Sequence, residues 1–303
     1  MNQATSVYKA FFGFKEDPFS LSPDPAFLYR SEQHEEALSN LIYGVQARKG
    51  FIVLTGEVGT GKTTMLECLR DYLFQQSIEF AFLFNSRITS DQFLEMLAYD
   101  FDLRCNRNSK AEVLIELNNM LVRQAEKGST GVLIVDEAHN LEWEVLEEIR
   151  LLGNLENRRG KLLQIILAGQ PEFDRKLDAP NLRNLKQRIV LRYNLAAFDE
   201  VETAKYINSR LEKAGMPNQQ VFSEALLSEI QRRSQGIPRV INAICDNLLL
   251  TAFADAAKVA TMDMLDDVTT DMRLEWPGRH VRGQRSRYAD ATVEQSPFFN
   301  PRD

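Results

Sequence analysis

The chain has few cysteines, no export signal and no long apolar run. Its 303 residues include three cysteines, which are far apart and free of CxxC spacing. A scattered set with an odd number predicts neither a disulfide framework nor a zinc site, and it favours a reducing compartment. The N-terminus lacks a basic segment followed by an apolar stretch, and no run of about 18 apolar residues follows. We therefore expect a cytoplasmic protein without a membrane span, for which any association with the inner membrane would come through a partner.

The sequence also lacks an excess of positive charge. Its formal net charge of -7 argues against a chain that coats nucleic acid through its overall charge. Two local basic clusters are present. One contains Arg158, Arg159 and Lys161, and the other runs from Arg273 to Arg287 with five arginines and one glutamate. Such clusters are either solvated surface or a binding surface for duplex DNA.

Short apolar runs alternate with amphipathic segments through the middle of the chain. The runs are FIVLT, FAFLF, GVLIVD, KLLQIILAG and IVLRYNL. This alternation predicts an α/β domain in which a parallel sheet is sandwiched by helices. The strand-like runs then stop, and four helical segments predict a small all-helical second domain. Its expected helix caps are Asp199, Ser223 and Thr261, and its expected helix ends are Gly215 and Gly236.

A glycine-rich loop follows the first apolar run. The string GEVGTGKTT lies directly between FIVLT and a helical pattern, which is the setting that the phosphate-binding motif GxxxxGK[ST] requires. Glycines let the backbone fold around phosphate, and N–H groups at a helix start attract negative charge. Lys62 is expected to contact the terminal phosphates, and Thr63 to ligate magnesium. The predicted nucleotide contacts come from Gly56, Glu57, Val58, Gly59, Thr60, Gly61, Lys62, Thr63 and Thr64.

Two acidic residues end the run GVLIVD. Asp136 and Glu137 follow a strand-like segment, and parallel sheets present ligands at the carboxyl ends of their strands. Asp136 is predicted to hold the magnesium ion, and Glu137 is suited to orient or deprotonate an attacking water. His139 completes the string DEAH, which also occurs in helicases that need two such sheet domains, whereas this chain has room for one. We interpret His139 as a hydrogen-bonded residue at a helix start.

One amide and two guanidinium groups complete the predicted catalytic set. Gln170 ends the strand-like LLQIILAG, and it would approach the terminal phosphate if its strand lies between the two motif strands; a turn residue is the alternative. Arg188 precedes the last strand and could reach an adjacent subunit. Arg239 opens a late helix and could contact phosphates of its own chain. Guanidinium groups neutralise charge on a transferring phosphoryl group, although each arginine could also be a solvated surface residue.

These residues together resemble the AAA+ ATPases, in which a nucleotide-binding α/β domain is followed by a helical lid. GEVGTGKT resembles the Walker A motif and VLIVDEAH the Walker B motif. The resemblance covers residues 31–273 and implies ATP with Mg2+ as the bound nucleotide. It places Gln170 at the sensor 1 position, Arg188 near the arginine finger and Arg239 at sensor 2.

The N-terminal string FFGFKEDPFSLSPDPAFLYRSEQHEEAL, together with LAGQPEF, is similar to the ExeA or GspA type, the general secretion pathway protein A family. Related ATPases accompany exopolysaccharide and exosortase gene clusters, and transposition regulators of the TniB and TnsC kind share the core. The resemblance implies that Pro18, Phe19, Tyr29 and His34 lie near the adenine. Packing by the aromatic residues and helix capping by His34 are the alternatives.

We divide the chain into four segments. Residues 1–49 form an aromatic and proline-rich segment and a first helix that pack on the nucleotide site, and residues 50–198 form the nucleotide-binding domain. Residues 199–273 form the lid, and residues 274–303 form a flexible basic tail. The tail ends in SPFFNPRD, either a docking peptide or an inert end. A full secretion-pathway protein A continues into a membrane span and a peptidoglycan-binding region, which this sequence lacks, so a role at the cell wall is not expected from the resemblance.

Three functions fit these observations. The first is an ATPase that self-associates into an ATP-dependent oligomer or ring and drives or switches a secretion or polysaccharide-export assembly. The second is an ATP-dependent transposition regulator that binds duplex DNA. The third is a scaffold that binds nucleotide without hydrolysing it, against which the intact Glu137 argues.

Overall fold

The computed structural model describes residues 7–20, 29, 31–84, 87–158, 160–215 and 221–274. These residues form a parallel sheet with helices on both faces, followed by a bundle of four helices. The predicted fold class is therefore confirmed. Arg159 and most of the basic tail, including SPFFNPRD, lie outside the described residues.

Five parallel strands form the central sheet. They are β1 (Phe51–Gly56), β2 (Phe80–Leu83), β3 (Gly131–Val135), β6 (Leu163–Gly169) and β7 (Ile189–Leu195). Their order across the sheet is β2-β3-β6-β1-β7. A separate antiparallel hairpin, absent from the sequence prediction, pairs β4 (Glu156–Asn157) with β5 (Gly160–Lys161). Because the five strands are parallel, all their carboxyl ends lie along one edge of the sheet, here called the carboxyl edge.

Helices connect the strands and then form the bundle. The short helix α1 (Lys9–Phe12) lies against the bundle, with Phe12 in its core. Around the sheet lie α2 (Glu32–Gln46), α3 (Lys62–Gln75), α4 (Ser90–Asp100), α5 (Lys110–Glu126), α6 (Trp143–Leu152), α7 (Glu172–Leu177) and α8 (Arg183–Lys186). The bundle contains α9 (Glu200–Lys213), α10 (Glu224–Ser234), α11 (Pro238–Ala254) and α12 (Met262–Asp271). Among the described residues, none of these helices combines the length and the apolar character needed to cross a bilayer.

The bundle helices begin where their capping residues predict. Asp199, Ser223 and Thr261 each accept a hydrogen bond from the backbone N–H three residues further on. Such caps satisfy one of the unpaired N–H groups in the first helical turn. The starts of α9, α10 and α12 were therefore readable from the sequence.

Alternate residues of the central strands pack on opposite faces of the sheet. Phe51 and Val53 of β1 lie in an apolar cluster with α4, α5 and α6, whereas Ile52 and Leu54 lie in a second cluster with α2 and α3. Every residue of β1, β3 and β6 is buried, because the two helical layers cover both faces. This double burial fixes the strand ends that carry the site.

The N-terminal aromatic residues do not pack where the sequence analysis expected. Tyr8, Phe12, Phe14 and Phe19 are buried in the core of the helical bundle, rather than against the nucleotide loop. Large aromatic rings bury more area among the apolar faces of four helices than at a polar loop. Within the described part of the 1–49 segment, it is the helix α2 that packs on the sheet. The four-segment division itself stays a prediction.

Candidate active site

The glycine-rich loop lies at the carboxyl edge, between β1 and α3. Gly61 adopts a left-handed conformation with φ of 102°, and α3 begins at the next residue. Thr60 donates from its hydroxyl to the carbonyl of Glu57 over 2.9 Å, and this hydrogen bond within the loop stabilises its turn. The loop therefore aims the N-terminus of a 14-residue helix along the carboxyl edge, and the partial positive charge there favours an anion.

Lys62 is held inside the loop. Its side chain donates from Nζ to the carbonyls of Gly56 over 2.7 Å and Glu57 over 2.9 Å, and only 5% of the residue is exposed. Burial lowers the pKa of the Lys62 ammonium, and the carboxylates of Glu137, Asp136 and Glu57 act in the opposite direction. The ammonium carries a positive charge and three N–H donors. Because it is buried within the loop, this charge lies where the motif predicts phosphate.

Thr63 and Asp136 meet across the boundary between α3 and β3. The Thr63 hydroxyl donates to Oδ2 of Asp136 over 2.8 Å, and the backbone N–H of Glu137 donates to Oδ1 over 2.8 Å. Asp136 is buried, with 5% of its surface exposed. These contacts bring together the two oxygen donors that the sequence predicted as magnesium ligands.

The carboxylate of Glu137 is contacted by the side chains of Gln170 and His139. Gln170 donates from Nε2 to Oε2 of Glu137 over 3.3 Å, and Nε2 of His139 lies 3.3 Å from the same oxygen. Gln170 reaches this point because β6 lies between β1 and β3, the strand order that its interpretation assumed. Glu137 itself adopts a left-handed φ of 53°, which is uncommon for a residue with a side chain.

The two predicted arginines lie in different places. Arg239 is exposed in the first turn of α11, and its backbone N–H donates to the carbonyl of Gly59 over 3.3 Å. Arg188 lies at the opposite edge of the sheet, because Ile189 pairs with Phe51 at the start of β1. Its guanidinium donates to the carbonyl of Arg150 over 3.3 Å. The structure brings Arg239 to the loop and keeps Arg188 away from it.

The four residues that the resemblance associates with adenine have different surroundings. His34 contacts the loop, with Nε2 lying 3.1 Å from the carbonyl of Thr60, and burial lowers the pKa of its imidazole. The ring of Tyr29 packs edge to face on Phe198, whose ring also lies beside His34. Phe19 is fully buried in the bundle, which supports a packing role for it.

Pro18 takes part in a buried contact that the sequence analysis missed. Arg210 of α9, 7% exposed, donates from Nε to the carbonyl of Pro18 over 2.5 Å and from Nη1 to the hydroxyl of Tyr206 over 2.9 Å. A buried guanidinium is stable only with such partners. No local pattern predicts the contact, because its partners are 192 residues apart.

A second missed residue, Lys176 of α7, supports the turn after Glu137. Its Nζ donates to the carbonyl of His139 over 3.0 Å and also to the carbonyl of Leu141. These two carbonyls belong to a short 3-10 turn, Ala138–Asn140, and the residue that ends it. Such a contact depends on how α7 packs across the turn, which sequence spacing does not reveal.

Known proteins share the sequence and the fold of this chain. Residues 45–177 match the family model described as an AAA domain. The general secretion pathway protein A of Aeromonas hydrophila is 43% identical over 249 residues, which are 82% of this chain and 45% of that protein. The chain thus spans less than half the length of this curated relative.

Solved structures share the fold at low sequence identity. Cdc6p from Pyrobaculum aerophilum aligns with a TM-score of 0.66 and 18% identity over 85% of this chain and 71% of that one. Drosophila ORC bound to DNA gives a TM-score of 0.63 and 17% identity over 91% and 68%. The Thermotoga maritima RuvB branch migration motor gives 0.55 and 14% over 85% and 74%.

The fold, the loop and the acidic pair define an AAA+ protein, as the resemblance implied. Within that class, the similarity to general secretion pathway protein A is confirmed.

Proposed function

We propose that this AAA+ protein binds ATP with Mg2+, hydrolyses it, and uses the cycle to drive or switch a secretion or polysaccharide-export assembly. The observation that carries the hydrolysis is the carboxylate of Glu137, held beside Gln170 and one residue beyond Asp136. A protein that only stored nucleotide would have no need for a carboxylate at this point.

The residues around Asp136 fit a magnesium ion. Mg2+ prefers hard oxygen ligands and is bound by one or two protein groups together with phosphates and waters. The Thr63 hydroxyl and Asp136 carboxylate, 2.8 Å apart, are such a pair, and Thr63 would ligate the ion while Asp136 holds it directly or through water. The bound ion would supply charge neutralisation between the phosphates.

The loop fits the phosphates of ATP in charge and in shape. Lys62 supplies a buried cation, and the start of α3 supplies N–H donors. Gly56 has no room for a side chain, because a Cβ there would lie 2.7 Å from the carbonyl of Leu195. Negative charge on the phosphates would compensate for the burial of the ammonium. This site therefore favours a polyphosphate over a neutral ligand.

In this proposal Glu137 acts on water rather than on the metal ion. In the proposed reaction its carboxylate orients the attacking water and accepts its proton, while Gln170 keeps the carboxylate in place and approaches the terminal phosphate. Arg239, which opens the helix in contact with Gly59, would add positive charge from the lid of the same chain. Preorganised charge of this kind is the main way that proteins accelerate phosphoryl transfer.

Arg188 supports self-association as part of the mechanism. Since β1 has six residues and strands rise about 3.3 Å per residue, Arg188 lies roughly 15–20 Å from Gly56. That separation prevents it from reaching its own site. We propose that it reaches the site of a neighbouring copy in an ATP-dependent oligomer or ring, where a guanidinium is worth roughly 10³ to 10⁵ in rate.

The export role and the cytoplasmic location rest on the relative. The 43% identity to a general secretion pathway protein A covers both the sheet and the bundle, so a shared mode of ATP use is the simplest account. Because the chain spans 45% of that protein, the secretion machinery that it contacts, at the inner membrane or elsewhere, is part of the proposal.

The DNA-binding alternative has less structural support. In the basic cluster at the β4 and β5 hairpin, Lys161 is ion-paired with Glu156 over 2.5 Å, which reduces the charge available to a phosphate backbone. Arg158, the other residue of this cluster that the structure describes, is exposed, and a single arginine supplies little counterion release.

ATP turnover by the purified chain tests the proposal. We expect turnover that disappears in Glu137→Gln, which is the control for contaminating activity. We also expect duplex DNA at low salt to leave the turnover of the wild-type protein unchanged. Stimulation by DNA would instead favour the transposition-type regulator. Absence of turnover in the wild type, alone and with export partners, would contradict the ATPase assignment.

A further inference from the structure

We infer that His139 is a positioning residue for Glu137, and that Lys176 holds the turn to which His139 belongs. The inference rests on the proposed function, since it concerns the carboxylate that would act on water. It adds a role to the interpretation of His139 as a hydrogen-bonded residue at a helix start, which agrees with its place in the 3-10 turn Ala138–Asn140.

The two ring nitrogens of His139 have different neighbours. The backbone N–H of Gln170 donates to Nδ1 over 3.4 Å, while Nε2 lies 3.3 Å from Oε2 of Glu137. A nitrogen that accepts a hydrogen bond carries no proton, so a neutral imidazole in this position carries its proton on Nε2. That proton faces the Glu137 carboxylate. The side chain of His139 is 15% exposed and that of Glu137 is 38% exposed, so the contact lies at the edge of the solvent with the imidazole on its buried side.

Gln170 and His139 both contact the same oxygen of Glu137. Gln170 approaches Oε2 with its side-chain amide and fixes the His139 ring with its backbone N–H. The carboxylate, His139 and Gln170 therefore form a closed set of contacts. A carboxylate held in this way keeps one orientation, and catalysis is sensitive to misplacement by about 1 Å.

Lys176 fixes the backbone that carries His139. Its ammonium bridges the carbonyls of His139 and Leu141, and the turn between them follows directly on Glu137 with its left-handed φ of 53°. An uncommon backbone conformation persists only when the surrounding structure holds it. Lys176 thus connects α7 to the segment that orients Glu137.

Three substitutions of His139 separate its two contacts. His139→Asn keeps an acceptor near the position of Nδ1 and loses the group that faces Glu137. His139→Gln extends an amide donor toward the position of Nε2. His139→Ala loses both. We expect kcat to fall about tenfold or more in the Ala and Asn variants and to be largely retained in the Gln variant.

Nucleotide affinity provides the first control, because the loop does not contact His139. The KM for ATP and the Kd for MgADP should stay within about twofold of wild type in all three variants. Lys176→Met should also lower kcat, whereas Arg175→Met, which removes the neighbouring exposed arginine of a surface pair, should not. Wild-type kcat in the Asn variant, or an equal loss in the Gln and Ala variants, would show that His139 only fills space.

Nitrogen NMR of the imidazole rings tests the contact without turnover. The chain has three histidines, so His139 can be assigned by substitution. We expect its proton on Nε2, with a shift change at Nε2 in Glu137→Gln. A proton on Nδ1 would overturn the inference even if ATP turnover depends on Glu137. Conversely, the expected tautomer in a protein without turnover would leave the contact intact and remove only the proposed function.

Discussion

The backbone N–H of Arg239 donates to the carbonyl of Gly59 over 3.3 Å, which joins the first turn of α11 to the middle of the phosphate loop. Gly59 has a left-handed φ of 85°, and a Cβ there would lie 2.6 Å from the Cβ of Arg239. The bundle and the loop therefore meet at a point with no space for a side chain. A movement of α11 would therefore act directly on the residues that we propose to hold phosphate.

Replacing Gly59 with alanine should separate the bundle from the loop. We expect Gly59→Ala to weaken nucleotide binding by at least about tenfold, because the new methyl group pushes Arg239 away and the left-handed conformation is strained by about 1–2 kcal/mol. Titration with a fluorescent ATP analogue measures the affinity. Gly128→Ala is the matched control, since Gly128 has φ of 82° but an open surrounding. Equal binding defects in both variants would show that strain alone is responsible.

Arg188 should act on a neighbouring copy. We expect Arg188→Ala to lose turnover by about 10³-fold while it still binds ATP. Mixing it with Glu137→Gln should restore part of the activity, because a mixed interface pairs an intact Glu137 with an intact Arg188. Arg183→Ala, an exposed arginine on α8, is the control and should behave like wild type. Turnover by monomers of Arg188→Ala at the wild-type rate would remove the oligomer from the mechanism.

Much of this arrangement could be predicted from residue patterns. The five apolar runs became the five strands of the sheet, and Asp199, Ser223 and Thr261 cap their helices because strand burial and capping depend on neighbouring residues. The loop and Lys62 followed from a motif whose spacing determines the loop's shape, and Asp136 followed from its place at the end of a strand. Such local signals predict the backbone elements that hold the site.

The remaining features depend on packing between distant segments. The contact of Lys176 with the carbonyl of His139 requires α7 to lie across the turn after β3, and the burial of Phe19 in the bundle requires the N-terminal segment to cross the molecule. Neither the residue type nor its spacing specifies these partners. Aromatic residues near a motif therefore indicated burial correctly, but they did not indicate which core they enter.

Acid should weaken the bundle through Glu229. Hydrogen bonding from Arg232, and from Arg233 in addition, lowers the pKa of Glu229 from 4.5 to about 2. The unfolded chain binds a proton at higher pH than the folded one, so this stabilisation is present above about pH 4.5 and is lost as pH falls toward 2. Glu229→Gln should cost about 1 kcal/mol at pH 6, after allowance for solvent screening, and progressively less at lower pH.

Urea unfolding at pH 6 and pH 3 measures this difference. Glu212→Gln, which changes an exposed carboxylate on α9, should show little change at either pH. A Glu229→Gln defect of the same size at both values would mean that the carboxylate acts through packing and not through its charge.

Thr63 should control the magnesium dependence of turnover through its hydroxyl alone. Thr63→Val keeps the shape of the side chain but removes the oxygen that lies 2.8 Å from Asp136, so turnover should fall by at least about tenfold and require more Mg2+. Thr63→Ser retains the oxygen and should restore both values. The measurement is the Mg2+ concentration for half-maximal ATP turnover, together with ATP affinity in the presence of EDTA. Because Lys62 and the rest of the loop are unchanged, metal-free affinity should be equal in the three proteins; a difference there would mean that Thr63 acts through the loop and not on the metal ion.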